Sequence, residues 1–167
     1  MKTALVVLLF AVSVFCQGSA AAAQQSCGPR NVSFEVRLDD AQHAPAKPEP
    51  GKALVYFVQD VVEVHYYLGG VATRIALDGV WVGAVKNNSY FSFSVAPGEH
   101  HVCVDRQTHF ADMTELAHFT AEAGKTYYFR MRYIDPKAAA LLFGPVDRDQ
   151  ALYMIASDPW SISKPKK

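Results

Sequence analysis

Six histidines are the first residues to weigh for chemistry: His43, His65, His100, His101, His109 and His118. Imidazole holds metals or carries protons, and on a strand two ligands share a face only when they sit two residues apart. His100 and His101 are adjacent, so on a strand they point to opposite faces. The chain has no His-x-His and no His-Glu-x-x-His run to set a zinc site. The best set on offer is His101 with Asp105, joined by His109 or His118. The pattern itself favours polar histidines at strand ends, with no bound metal and no cofactor.

Nucleophilic chemistry is equally thin. There is no Gly-x-Ser-x-Gly elbow, and Ser92 and Ser94 alternate within a strand-like run. The carboxylate pairs Asp39-Asp40, Asp112 with Glu115, and Asp147 with Asp149 fall in turns or at a helix start, where water satisfies them. The expectation is a protein that is not an enzyme. Cys27 and Cys103 are more simply the two halves of a disulfide, and no Cys-x-x-Cys points to redox or zinc chemistry. Closing so long a loop contributes roughly 4 kcal/mol.

The surplus is in aromatics, 12% of the chain. Adjacent tyrosines on a strand face opposite ways, so one of Tyr66-Tyr67 and one of Tyr127-Tyr128 point outward. Tyr128, Arg130 and Arg132 share one face of their strand. With Tyr67 they are the candidate binding surface, suited to an anionic glycan or an envelope protein. The plainer alternative is tyrosines at the rim of a core and arginines that keep an edge soluble.

The elements that must position these groups are mostly strands. "NVSFEVRL" alternates apolar and polar residues, and "DDAQHAPAKPEPG" is a proline-rich connector. "ALVYFV" is apolar on both sides, which fits a central strand or one covered on both faces. Asp78-Gly79 marks a two-residue hairpin turn, Asn87-Asn88 a second turn, and Pro97-Gly98 a third. Gly124 supplies positive φ between two later strands. "DRDQALYMIAS" reads as a short helix capped by Asp147. The result is an all-β, antiparallel sandwich of about seven or eight strands, immunoglobulin- or transthyretin-like, with a short C-terminal helix.

Residues 1–23 read as a secretory signal peptide: one Lys, an apolar run too short to span a bilayer comfortably, then small residues. Residues 24–51 hold the N-terminal strand and connector, 52–160 the sandwich, and 161–167 a basic tail. The product is exported, periplasmic or extracellular, with no transmembrane segment after cleavage. Lys plus Arg equals Asp plus Glu, 16 of each, which argues against a nucleic-acid partner.

"GKALVYFV", "ALDGVWVGAVKNNSYFSFSVAPGEHHV" and "AEAGKTYYFRM", in this order, resemble the bacterial exported domain-of-unknown-function family 2846. The resemblance spans roughly residues 52–135. It implies a PEGA- or transthyretin-like sandwich in a bacterial envelope, and it implies no activity. Members often carry lipoprotein signals; here Phe15 before Cys16 departs from that pattern.

Overall fold

The computed structural model describes residues 27–41, 46–61, 72–107, 112–135 and 140–166. The signal segment, Tyr67, His43, His65 and His109 lie outside the described residues. The strands are β1 (Phe34–Asp39), β2 (Ala53–Val61), β3 (Thr73–Leu77), β4 (Val80–Val85), β5 (Ser89–Val95), β6 (Gly98–Gln107), β7 (Asp112–Ala121), β8 (Thr126–Asp135) and β9 (Ala140–Pro145). Helix α1 (Arg148–Ser157) and strand β10 (Trp160–Pro165) follow. A six-stranded sheet runs β1-β10-β5-β2-β8-β9, and a four-stranded sheet runs β4-β3-β6-β7. Among the described residues the architecture is an all-β sandwich with one helix.

The turns form where their residue types demand, Asp78-Gly79 closing the β3–β4 hairpin and Asn87 carrying the chain from β4 across to β5 of the other sheet. Asp78 and Gly79 both take positive φ, +51° and +80°, as a type I′ turn requires, and Asn87 sits at +59°. Gly83 answers a different need. A Cβ there would lie 2.5 Å from the Phe91 ring and 3.0 Å from Ser163 Oγ, so only glycine lets β4 approach β5 and β10. The β3–β4 register slips at the same level, between Ile75 and Ala76.

The continuous apolar run of β2 has its explanation in three layers. Val55 and Phe57 face inward, where Phe57 stacks on Phe93, Phe129 and Phe143 in a core cluster that also holds Ile75, Val85, Val102 and Val104 of the facing sheet. Leu54, Tyr56 and Val58 face outward into a second cluster with Tyr90, Leu152, Met154 and Ile155, under α1. The helix starts where expected: Asp147 accepts from the N–H groups of Asp149 (2.8 Å) and Gln150 (3.4 Å).

Two features depart from the sequence reading. Among the described residues, only β3–β4, β6–β7 and β8–β9 of the consecutive strands pair, each antiparallel, while the chain crosses between sheets at β4–β5 and β5–β6. β2 with β8 and β10 with β5 run parallel, so the larger sheet is mixed. Residues 161–165, expected as a basic tail, are strand: β10 pairs along the whole of β1. Ser161 is fully buried, its hydroxyl 2.8 Å from that of Ser89. Among the described residues the strands therefore number ten, against the seven or eight expected. The "WSISKP" run alternates apolar and polar residues only from Trp160 to Ser163, too short a signal by itself, and it becomes strand with β1 as its partner.

Candidate functional site

Each sheet carries an arginine–aspartate constellation on its outer face. On the four-stranded sheet, Arg74 of β3 and Asp105 of β6 are direct cross-strand partners. Arg74 Nε donates to Asp105 Oδ2 at 3.1 Å, an Nη closes on the same oxygen, and Thr114 Oγ1 donates to Oδ1 at 3.0 Å. The other Nη donates to the carbonyls of Arg30 and Val32. The guanidinium also lies 4.2 Å over the Trp81 ring.

This pair is sealed by the segment from Cys27 to Val32. Cys27 is bonded to Cys103 of β6 across 76 positions, with Cα atoms 5.2 Å apart, well within disulfide range. Trp81 Nε1 donates to the Pro29 carbonyl at 2.9 Å. A Cβ on Gly28 would lie 2.8 Å from that same Nε1, so glycine is what lets the segment press on the indole. The Arg74 and Asp105 side chains are left only 6% and 8% exposed.

On the six-stranded sheet, Arg130 and Arg132 lie two apart on β8, and Asp60 of β2 stands opposite Arg132. One carboxylate oxygen serves both cations: Arg130 donates to Asp60 Oδ2, and Arg132 Nε lies 3.6 Å from it. The Nε atoms of Arg130 and Arg132 have no hydrogen-bond partner among the described residues. The side chains are 26% and 43% exposed. Both line an open depression of about 410 Å³ with Leu142, Gly144, Val146 and Gln150. Burial pushes the Asp158 carboxyl up to about 6; the Ser157 hydroxyl opposes this and the charge of Asp60 adds to it.

A third group is interior. Arg106 lies 4.3 Å over the Tyr133 ring, and the Tyr133 hydroxyl is 2.7 Å from Thr73 Oγ1. Burial raises the Tyr133 phenol against the pull of Arg106 and Thr73. Gln59 Nε2 donates to the Asn87 carbonyl at 2.8 Å.

Of the sequence candidates, Arg130 and Arg132 are brought together at the depression. Tyr128 is on the same face but half-buried, its ring stacked on Tyr56 with centroids 5.4 Å apart. The metal set built on His101 and Asp105 is not assembled: His101 is exposed, while both Asp105 oxygens are engaged by Arg74 and Thr114. Among the described residues no three His, Cys, Asp or Glu side chains converge. His100 has a structural partner: its ring bonds Asp78 Oδ2 at 2.7 Å and the Ala96 carbonyl at 2.8 Å. The turn residues Pro97 and Gly98 are exposed, and Gly124 takes φ +79°. Sequence reasoning missed Asp60 and Arg74. The one available signal was an acid at the end of an otherwise apolar strand.

Fold and site define a disulfide-bonded sandwich with an open charged depression outside the core. The chain belongs to the family described as protein of unknown function DUF2846, whose model matches residues 49–146. No curated protein and no solved structure matches it. The matched span takes in the arginine–aspartate pairs of both constellations and most of the depression's lining, and leaves out the Cys27–Val32 segment. It stops before α1, which covers the outer face of β2. Among the described residues no helix is long and apolar enough to cross a membrane.

Proposed function

We propose that the protein is an exported, non-enzymatic binding module of the bacterial envelope, and that the Arg130–Arg132 depression takes an anionic partner such as an acidic glycan. The observation that carries this is two partly exposed guanidinium groups that share a single carboxylate oxygen beside an open depression. A guanidinium is the group suited to a carboxylate or sulfate presented edge-on, because its N–H donors form a planar fork. Gly144, opposite Arg130 on β9, contributes no side chain, so a ligand can approach the sheet there. The disulfide supports an exported setting, since such bonds persist in oxidising compartments. A platform built on Tyr128 is not favoured, because that ring already stacks on Tyr56.

The test is an NMR titration of the disulfide-bonded protein with an oligogalacturonate. Shifts should centre on β8 and β9, and Arg130→Gln with Arg132→Gln should weaken binding roughly tenfold or more. Equal binding by the double variant overturns the assignment. Glycosidase or protease turnover by the purified wild type would remove the non-enzymatic reading.

A further inference from the structure

A second site lies on the opposite side of the molecule. His101 of β6 and His118 of β7 are register partners, with ring centroids 6.5 Å apart and both side chains exposed. Their pairing type follows from the backbone. The His101 carbonyl accepts from Asp78 N–H at 2.8 Å, and the His101 N–H donates to Asp78 Oδ1 at 2.8 Å. Both polar groups of His101 therefore point toward β3. In an antiparallel ladder a residue's N–H and C=O point the same way, so toward β7 the pair His101–His118 is a non-hydrogen-bonded one. In such pairs the side chains approach most closely, with Cα atoms about 4.5 Å apart.

The geometry points to a surface site for a late divalent transition metal, Cu²⁺ most strongly, chelated by His101 and His118. Neither ring has a hydrogen-bond partner among the described residues, so lone pairs are available on both. An ion bound at about 2.1 Å from each nitrogen sets ring centres roughly 5–6 Å apart, which a small side-chain rotation supplies. Imidazole pairs suit copper, nickel and zinc, and copper stands highest in the divalent series. Glu99 shares the face two positions before His101 and adds negative charge beside it. Two protein donors leave the remaining coordination positions to water or to a donor from another molecule. The sequence offered His118 only as one of two possible helpers of His101 and Asp105; the strand register pairs it with His101.

The experiment is a calorimetric titration of the disulfide-bonded protein with Cu²⁺, glycine present as a weak competitor, with electron paramagnetic resonance on the complex. One equivalent should bind with two imidazole nitrogens in the spectrum. His101→Ala and His118→Ala should each weaken it roughly tenfold or more, through loss of one of two chelating donors. The double variant should lose the two-nitrogen signal. Both residues are exposed, so an unchanged melting temperature shows that the variants fold. No binding above glycine competition, or a two-nitrogen signal that survives the double variant, overturns the site.

Discussion

The two outer-face arginine–aspartate constellations use the same chemistry to opposite effect. Arg74–Asp105 is one cation to one anion, with the leftover donors given to two backbone carbonyls and the leftover acceptor to Thr114. Arg130 and Arg132 share one anion, and each keeps a buried Nε without a hydrogen-bond partner among the described residues. The difference is what lies on top. A disulfide-tied segment covers the first pair, whereas α1 covers the β2 side of the other sheet and leaves the arginines beside an open depression. A covered ion pair must be complete to be tolerated, whereas two partly exposed guanidiniums can share one carboxylate because water or a ligand reaches their exposed ends.

The largest expected effect breaks the covered pair. Arg74→Ala strands a buried carboxylate and should lower unfolding free energy by about 3–5 kcal/mol in a urea titration. Asp60→Ala on the open face should change stability by about 1 kcal/mol or less. It should also tighten anion binding, because the competing carboxylate is gone. If the two substitutions destabilise equally, the contrast between the faces is wrong.

Removing the cover is next. Reduction of Cys27–Cys103 should lower stability by roughly 4 kcal/mol on loop-entropy grounds. Amide exchange should rise first at residues 30–32, with a change in Trp81 fluorescence. Protection that stays uniform after reduction counts against this segment as the seal. Gly28→Ala tests the same contact without touching the sulfurs: the added methyl meets the indole and should destabilise by about 1–3 kcal/mol.

The smallest effect is a pH signature at the Asp78–His100 clamp, which ties the β3–β4 turn to the strand entering β6. Burial pulls the His100 pKa down, but the Ala96 carbonyl and Asp78 carboxylate outweigh it, and the net shift is upward. Burial pushes Asp78 up, but the His101 N–H and His100 outweigh it, and the net shift is downward. The histidine's contribution is therefore full below about pH 6.5 and fades as pH rises through its raised pKa. The aspartate's is full above about pH 4 and fades as pH falls through its lowered pKa. Between about pH 4 and 6.5 both operate. Asp78 is nearly half exposed, so screening holds the effect to about 1 kcal/mol or less. The melting-temperature gap between wild type and Asp78→Asn should peak near pH 5 and shrink by pH 9; a flat gap refutes the clamp.

Local chemistry was legible in the sequence where a short run decides its own conformation. Asp78-Gly79, Asn87 and Gly124 take the positive φ their types suit, and Asp147 caps the helix. The doubly apolar β2 was readable as central or covered on both faces, and it is both. What was not legible depends on partners distant in the chain. Arg74 reads as one polar residue in a strand until Asp105, 31 positions away, stands beside it. Trp160 to Pro165 reads as a tail until β1 pairs with it. Arg130 and Arg132 were visible as a charged stripe, but the shared Asp60 came from another strand.

By itself the sequence determined an all-β chain with its turns in place, a cysteine pair able to bridge, and a charged stripe on one strand. Those follow from φ preferences, alternation and residue type, which act over a few bonds. The tertiary structure alone decided which strands run parallel, which arginine is sealed and which is left open, and that His101 faces His118. Those outcomes depend on register and on what packs over each sheet, because a side chain's electrostatic environment is set by its neighbours in space.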